Sequence, residues 1–495
     1  MIKTKYIGLI LVVLGFTACN SPEDVMPPVD NETAPELEAG TANFEKYVSV
    51  GASLTAGYSD FGLFIAGQEN SFPNMLASQF EKVGGGDFTQ PLVSDNTGGI
   101  LVGGTPVRGY RLTFNSEIPG PQPLNEFLAG LGAPVPPITT EAGVNIGSDF
   151  NNFGIPGARS FHFIAPGYAG ANPYYARIAS APTATVIDDA IAQNPTFFTL
   201  SDIGAADVLG YALSGGDDSD PITDVATFNG SLGIIVDKLT ANGAKGVIAN
   251  VPDILSVSHF TTVSHNPVPL DAATAAYLNS MNAYGAYNAG ITQAYAFLVA
   301  NTPLTQEMAD EEIAKRTIAF AEAPNNALVI MDEDLRDLTA LNPALVNLRQ
   351  ATPEDLILLT ASSEIPKGVG VSTPMGDNFV LTPEEQNNIN DAAMGYNLGI
   401  EAVAQAKGLA VADLKSVIEE ASTNGIAFDD YFLNTDLVFG GLVSLDGVHL
   451  TARGYALMGN TFLKAIDETY GSNFEASGNL MKAGDYPTAY SPTLE

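Results

Sequence analysis

The sequence predicts a three-layer α/β/α fold with a mainly parallel sheet of about five strands. From residue 44 onward, short apolar runs rich in β-branched or aromatic residues alternate with segments whose apolar residues have helical spacing. Turn-forming residues lie at the ends of each run. Strands that alternate with helices form parallel sheets that helices cover on both faces. The 45% hydrophobic content of the 495 residues is enough for the core of such a domain.

Five apolar runs are the candidate strands of this sheet. They lie at residues 47–50, 144–146 (the weakest), 197–201, 247–251 and 409–412. Between them, one helix is predicted to begin after Ser71 with a proline in its first turn, and a second to span residues 223–239. Thr451 is the predicted N-cap of the last helix.

Two long segments interrupt the alternation of strands and helices. Residues 84–145 are rich in Gly and Pro and show little periodicity, which predicts long loops. Residues 252–382 add two helices and a further strand-like run, at 272–300, 306–321 and 327–331. We interpret both segments as insertions into one domain over residues 44–495, because the candidate catalytic residues flank them.

Residues 1–18 have the pattern of a secretory signal peptide. Lys3 and Lys5 precede an apolar run that is too short to span a bilayer, and two small residues precede Cys19. This arrangement resembles the lipobox of bacterial lipoproteins, which implies that Cys19 becomes the lipidated N-terminus. Cys19 is the single cysteine of the chain, so a disulfide within the chain is excluded.

Residues 19–43 are acidic and rich in proline, which predicts a disordered tether between the lipid anchor and the domain. The resemblance to lipoproteins implies anchoring to the outer membrane. The acidic residues soon after Cys19 resemble an export signal, so the domain is expected to face the periplasm or the cell surface.

The charge balance and the motifs exclude several classes of partner. The chain has 20 Lys and Arg against 56 Asp and Glu, a formal charge of −36, which repels nucleic acid and anionic membranes. We identify no phosphate loop, cofactor motif or metal-ligand spacing, so the sequence predicts no nucleic acid, no cofactor and no metal. The acidic loop at residues 216–221 lacks the spacing of a calcium loop and is interpreted as a solvated turn.

Two short stretches at opposite ends of the domain indicate the chemistry. Val48-Ser-Val-Gly-Ala-Ser53 reads as a strand that enters a tight turn and presents the Ser53 hydroxyl, and Asp446-Gly-Val-His449 lets one loop hold a carboxylate and an imidazole. A serine needs an imidazole to take its proton, and the imidazole needs an acid to fix its tautomer. The chain has only four histidines, so we predict a serine hydrolase with Ser53, His449 and Asp446 as its catalytic triad.

Acyl transfer also requires hydrogen-bond donors for the developing oxyanion. The backbone N–H of Ser53 is one candidate. The second is Gly157 in Asn152-Phe-Gly-Ile-Pro-Gly157, because glycine allows the backbone to approach a ligand closely. Simple loop closure explains the Gly157 turn equally well.

These blocks resemble the SGNH/GDSL hydrolases, and in particular a subgroup of large, lipidated cell-envelope members. Ser53 fits the nucleophile block, although Ala52 stands where the family name has Asp. Gly157 fits the second block, and Asp446 with His449 fits the Asp-x-x-His block. The resemblance covers nearly the whole mature chain and implies a flavodoxin-like sheet of about five parallel strands.

One block departs from the pattern of that family. Residues 196–211 align with the Gly-x-Asn-Asp block, but Ala206 occupies the position of the Asn, whose side chain is the third oxyanion donor in the family. Loss of one such donor typically lowers kcat by about 10²–10³. Asp202 and Asp207 would add to the loss if their negative charges faced the oxyanion.

Three functional hypotheses follow from these observations. The first is an envelope-anchored serine esterase or lipase-type hydrolase, slowed by Ala206, which cleaves carboxylic esters of a small molecule, lipid or acylated glycan. The second is an impaired relative that binds an acylated glycan or lipid in the same cleft. The third is an accessory lipoprotein of an outer-membrane barrel complex, since a fold does not determine a function.

The other three histidines receive structural interpretations. His162 lies between two phenylalanines and is expected to be a packed core residue. His259 and His265 lack convincing metal-ligand spacing.

Overall fold

A computed structural model describes residues 34–117 and 120–494 and shows a central five-stranded parallel sheet. Its strands are β1 (Tyr47–Gly51), β2 (Asn152–Gly154), β3 (Phe197–Ser201), β4 (Lys245–Ala249) and β5 (Ala410–Ala412). Their spatial order is β2-β1-β3-β4-β5, and all neighbouring pairs are parallel. This is the flavodoxin-like order, so the predicted fold class is confirmed.

Helices cover both faces of the sheet. Phe197 of β3 contacts Phe80 and Tyr470 at ring-centroid distances of 5.6 and 5.9 Å, in the helices Phe72–Glu81 and Ala452–Tyr470. Because side chains alternate along a strand, Phe198 faces the opposite layer. That layer contains the helices Val225–Thr240 and Pro383–Lys407, which pack together. β1 and β3 are buried along their whole length, as expected between two helical layers.

The remaining elements connect the strands or lie in the insertions. The other α-helices are Ser53–Ala56, Ile65–Glu69, Leu124–Gly130, Pro173–Ala176, Val186–Ala192, Ile203–Leu213, Ser258–Thr261, Ala272–Leu278, Tyr284–Asn301, Gln306–Arg316 and Leu414–Thr423. Antiparallel pairs join Ile100–Val102 to Thr105–Arg108, Leu112–Asn115 to Gly120–Pro123, Val268–Leu270 to Ala323–Asn326, Val329–Met331 to Leu348–Gln350, Leu356–Ile357 to Val380–Leu381, and Ile426–Phe428 to Tyr431–Leu433. Short 3₁₀ helices span Ser160–Ile164, Tyr168–Gly170, Ile254–Ser256, Leu359–Ser363, Ile365–Lys367, Asp377–Phe379 and Ala483–Asp485.

The predicted strand at residues 144–146 is wrong. Val144 and Ile146 are 57% and 41% exposed, so they cannot belong to a buried strand. The sheet instead takes Asn152–Gly154 at this edge. Asn152 is buried there because its side-chain amide donates to the Thr55 carbonyl at 2.9 Å, which satisfies a polar group that the sequence pattern places outside the core.

Two helices of the second insertion are shorter than predicted. The segment 272–300 breaks between Leu278 and Tyr284, where the Asn279 side chain exchanges two hydrogen bonds with the Phe320 backbone, at 2.8 and 2.9 Å. The segment 306–321 ends at Arg316. The run at 327–331 does form a strand, Val329–Met331, but it pairs outside the central sheet.

Residues from Glu36 onward form one compact unit that includes both insertions. The first insertion, predicted as long loops, contains two hairpins and a helix. Residues 36–43, assigned to the tether from the sequence, contact the domain: the Thr41 N–H donates to the Tyr470 carbonyl at 2.8 Å. The predicted signal peptide, Cys19 and the tether up to residue 33 lie outside the described residues. Within the described residues, every helix is too short or too polar to cross a bilayer.

Candidate active site

The turn after β1 presents Ser53 at the carboxyl edge of the sheet. Ser53 begins the short helix Ser53–Ala56, and the carboxylate of Asp202, which directly follows β3, holds this turn. Asp202 accepts hydrogen bonds from the Ala52 N–H at 3.0 Å and the Leu54 N–H at 2.8 Å, on either side of Ser53. A Cβ at Gly51 would collide with the Asp202 carboxylate, so a glycine is required for this close approach. The site therefore lies between β1 and β3, where ligands bind in sheets of this order.

Asp202 and Asp207 are engaged in holding backbone turns. Burial raises the pKa of Asp202, and its four hydrogen-bond donors, which include the hydroxyls of Thr55 and Ser201, partly oppose that rise. Asp207 is buried and accepts hydrogen bonds from the N–H and the hydroxyl of Ser160, both at 2.8 Å. Both carboxylates are thus committed to protein donors.

The loop after the last strand pair brings His449 to Ser53. The Nε2 atom of His449 lies 2.9 Å from the Ser53 hydroxyl oxygen, and its Nδ1 atom lies 2.8 Å from Oδ2 of Asp446. Because a carboxylate only accepts, Nδ1 carries the proton and Nε2 is free to accept the Ser53 proton. The structure thus brings together all three residues that the sequence predicts as a triad.

Asp446 is held in its ionised form by several donors. Oδ2 also accepts the Phe61 N–H at 2.8 Å, and Oδ1 accepts the N–H groups of Val448 and His449 at 2.9 and 2.8 Å. Burial alone would raise the pKa of Asp446, but His449 and these hydrogen bonds hold it well below its usual range. Such a carboxylate can orient the imidazole and stabilise an imidazolium ion.

Glycine at position 447 permits the loop to close. Gly447 has φ 76°, and a Cβ there would lie 2.8 Å from the backbone nitrogen of His259. The residue completes the short loop that holds Asp446 and His449 at the spacing seen in the sequence. Two residues after His449, Thr451 caps the helix Ala452–Tyr470 by accepting the Gly454 N–H at 3.0 Å, as predicted.

A strained segment supports this loop from the other side. Asp60 and Phe61 both have positive φ, 51° and 62°, which is uncommon for residues other than glycine. This conformation aims the Phe61 N–H at Asp446. The Asp60 carboxylate accepts the Leu445 N–H at 3.0 Å, and burial raises the pKa of Asp60 to about 7.

Two apolar clefts meet at His449. The first, about 840 Å³ with its open mouth included, contains Ser53 and is lined mainly by aliphatic side chains such as Leu209, Ile254 and Leu457. The second, about 1290 Å³ with its open mouth included, is lined by parts of both insertions. His449 and Val448 line both clefts, so the imidazole stands between two apolar binding surfaces.

The proposed oxyanion residues occupy different positions. Ala206, in the helix Ile203–Leu213, lines the first cleft together with Ser53 and His449, so its methyl group stands where a longer side chain could reach the cleft. Gly157 has φ 79° and lies in the turn after β2, at the same edge of the sheet as Ser53. Gly157 is not among the lining residues of either cleft.

His259 is a site residue that the sequence reasoning missed. Its Nδ1 atom lies 3.2 Å from the Asp446 carbonyl oxygen, which fixes the proton on Nδ1. Its Nε2 atom is buried without a hydrogen-bond partner among the described residues, and the ring lines the second cleft. Burial lowers the pKa of His259, so the ring is neutral and offers Nε2 as an acceptor. No sequence signal connects position 259 to 446, because their contact depends on the fold of the insertion.

The other two histidines line neither cleft. His162 stacks on Tyr168 at a centroid distance of 4.3 Å, and its Nδ1 accepts the Arg159 N–H at 3.0 Å, so it is packed as predicted, but it is only half-buried and lies outside the core. His265 lines neither cleft, and its carbonyl accepts the Leu328 N–H.

Comparisons with family models, with curated proteins and with solved structures found no match to this chain. The chemistry of the site therefore has to be argued from its geometry. That geometry is a hydroxyl bonded to an imidazole whose other nitrogen bonds a buried carboxylate, set between two apolar clefts. Such an arrangement can activate the hydroxyl as a nucleophile.

Proposed function

We propose that the chain is a serine ester hydrolase of the SGNH/GDSL type. The observation that carries the proposal is the pair of hydrogen bonds made by His449, 2.9 Å to Ser53 and 2.8 Å to Asp446. These bonds connect Ser53 and Asp446, nearly four hundred positions apart in the sequence, through one imidazole. Nucleophilic catalysis needs this arrangement of hydroxyl, base and acid.

The reaction divides into acylation and deacylation. The Ser53 oxygen attacks the ester carbonyl carbon while His449 Nε2 takes its proton, and the N–H of Ser53 stabilises the oxyanion, with Gly157 as the second donor. His449 then protonates the leaving alkoxide, which departs as the alcohol. Water, deprotonated by His449, attacks the acyl-enzyme and releases the acid and the free serine. Asp446 keeps the imidazole in the required tautomer throughout.

The clefts favour an ester with apolar groups on both sides of the scissile bond. The cleft that contains Ser53 is lined by Leu209, Ile254 and Leu457 and suits the acyl chain. His449 also lines the second cleft, and the leaving alcohol must lie beside the imidazole that protonates it, so this cleft suits the alcohol. Lipid esters fit this description on both sides, whereas an acylated glycan fits it on the acyl side only.

The test compares the full-length chain with Ser53→Ala on nitrophenyl esters of short and medium acyl chain length. The parent should turn over the ester with burst kinetics, and Ser53→Ala should reduce the rate to that of buffer. A matched control is Ser94→Ala, which removes a hydroxyl from a residue outside both clefts. Equal rates for the parent and Ser53→Ala would refute the proposal.

A second function is favoured by one observation. Ala206 lines the cleft at the position of the family's oxyanion Asn, so the chain has a formed apolar cleft with a weakened means of stabilising charge. A protein of this kind would bind an acylated glycan or lipid without rapid turnover. Binding of a fluorescent fatty acyl ligand by Ser53→Ala, in a preparation whose parent shows no hydrolysis, would support this function over the first.

The location of the enzyme is part of the same proposal. The signal pattern and Cys19 support a lipid anchor in the outer membrane, with the domain facing the periplasm or the cell surface. Metabolic labelling with a fatty acid should mark the parent, whereas Cys19→Ser should remain unlabelled. Labelling of both proteins would contradict the assignment of the anchor.

A further inference from the structure

Away from the triad, three carboxylates converge where the second insertion meets the helix Pro383–Lys407. Glu333, Asp377 and Glu385 each place a carboxylate oxygen within 4.8 Å of the others. Glu333 and Asp377 belong to the insertion, whereas Glu385 lies in the first turn of the helix that covers the sheet. The cluster thus spans the boundary between the insertion and the core.

Two of these side chains have buried oxygens that accept no hydrogen bond from an N–H or hydroxyl group. Glu385 is only 2% exposed, and its Oε2 accepts the N–H and the hydroxyl of Thr382 at 2.6 and 2.9 Å. Among the described residues, neither its Oε1 nor Oδ1 of Asp377 accepts a hydrogen bond from an N–H or hydroxyl group, and the group that interacts with both side chains is the carboxyl group of Glu333. A buried carboxylate oxygen without such a donor is costly, so these oxygens favour a cation as their partner.

The groups that raise the pKa values of these two side chains are other carboxyl groups, so their charges are negative. Burial raises the pKa of both Asp377 and Glu385, and the hydrogen bond with the Glu333 carboxyl group and the charge of that group raise both further. Asp217 and Asp332 act on Asp377 in the same direction. A bound cation would attract all of these carboxylates and so offset their repulsion of one another.

We propose that Glu333, Asp377 and Glu385 bind a Ca²⁺ ion. Carboxylate oxygens are ligands for hard cations, and Ca²⁺ takes them at about 2.3–2.6 Å. Three carboxylate oxygens within 4.8 Å of one another can surround such an ion, and Ca²⁺ accepts an irregular set of oxygen ligands, whereas Mg²⁺ demands near-ideal octahedral geometry and keeps several waters. Glu333 is exposed, so water can complete the coordination sphere from that side.

The acidic loop at residues 216–221 adjoins this site. Gly216 has φ 79°, and a Cβ there would collide with the Glu385 carboxylate. Asp220 of the loop is paired with Arg159. The interpretation of the loop as a purely solvated turn is therefore incomplete, because its first residue packs against the proposed metal ligand.

The ion would organise one wall of the second cleft. Asp377 lies two residues before Phe379, and Gly216 lies three residues after Leu213. Phe379 and Leu213 both line that cleft. Ca²⁺ would thus join the insertion to the core helix beside the cleft, and this inference stands whether or not the chain hydrolyses esters.

The experiment measures Ca²⁺ binding and thermal unfolding of the full-length chain after treatment with EDTA and desalting. Titration calorimetry should give one Ca²⁺ per chain, and saturating CaCl₂ should raise Tm by about 2 °C or more, because binding to the folded state alone stabilises it. Glu385→Gln keeps an oxygen for the Thr382 cap but loses the charge, and Glu333→Gln alters an exposed ligand that folding does not require. Both should lose the Tm shift and weaken binding by about tenfold or more.

Glu384→Gln is the matched control. It makes the same change of charge on the neighbouring residue, which is exposed, and it should bind Ca²⁺ as the parent does. The proposal is overturned if the parent binds no Ca²⁺, or if Glu385→Gln and Glu333→Gln both bind it as tightly as Glu384→Gln does. An equal Tm shift with MgCl₂ would overturn the assignment to Ca²⁺.

Discussion

Replacing Ala206 by Asn tests whether the first cleft lacks an oxyanion donor. Ala206 lines that cleft with Ser53 and His449, so an amide at this position can reach the reacting carbonyl oxygen. One such donor is worth about 2.7–4 kcal/mol in the transition state. Fixing the Asn side chain costs about 1 kcal/mol, which leaves about 1.7–3 kcal/mol. At about 1.36 kcal/mol for each tenfold change, Ala206→Asn should raise kcat by about 20- to 160-fold.

The assay is the steady-state hydrolysis of a short-chain nitrophenyl ester. Ala205→Asn is the control, because residue 205 also lines the cleft but projects about 100° away around the helix. The gain should also vanish in a Ser53→Ala background, since it depends on the acyl-enzyme route. The reasoning is refuted if Ala206→Asn folds normally without a gain in kcat, or if Ala205→Asn gains as much.

Two further predictions concern buried carboxylates. Asp446→Asn should lower kcat by about 10³–10⁴ with little change in KM, because an amide favours the wrong tautomer of His449; a loss below tenfold in steady-state assays would count against the triad. Asp60→Asn should alter the pH dependence of stability. The pKa of Asp60 is raised to about 7 from an ordinary 3.8, so the folded parent favours the protonated side chain. This preference stabilises the parent fully below pH 3.8, and the stabilisation is lost as the pH rises through 7. In urea unfolding between pH 4 and 8, the free energy of unfolding of Asp60→Asn should rise relative to that of the parent by up to about 4 kcal/mol. If the two free energies changed in parallel with pH, the raised pKa of Asp60 would be contradicted.

The central sheet could be predicted from the sequence where its strands are apolar on both faces. β3 was predicted with its observed bounds, because Phe197–Ser201 is a short apolar run between turn residues. β2 could not be predicted, since it has only three residues and begins with Asn152. That polar side chain is tolerable in the core because it donates to the Thr55 carbonyl, almost one hundred residues earlier, and to the Gln90 side chain, and accepts the Gly154 N–H.

The candidate active site could likewise be predicted from the sequence only in part. Ser53, Asp446 and His449 could be predicted because few residue types can act as nucleophile, base and acid. The Asp-x-x-His spacing is also local, so it is visible in the sequence. Asp60 and His259 could not be predicted, because both act through contacts with the loop at 444–449 that only the fold creates. Neither residue has a sequence neighbour that marks it.

The structure also explains how Asp202 can lie beside the proposed nucleophile, Ser53, without opposing it. Its carboxylate is occupied by the N–H groups of Ala52 and Leu54, so the intervening Ser53 N–H is left for the oxyanion. The weak point of the site is therefore the methyl group of Ala206 and not the charge of Asp202, which is why a single amide at position 206 should be sufficient to change the rate.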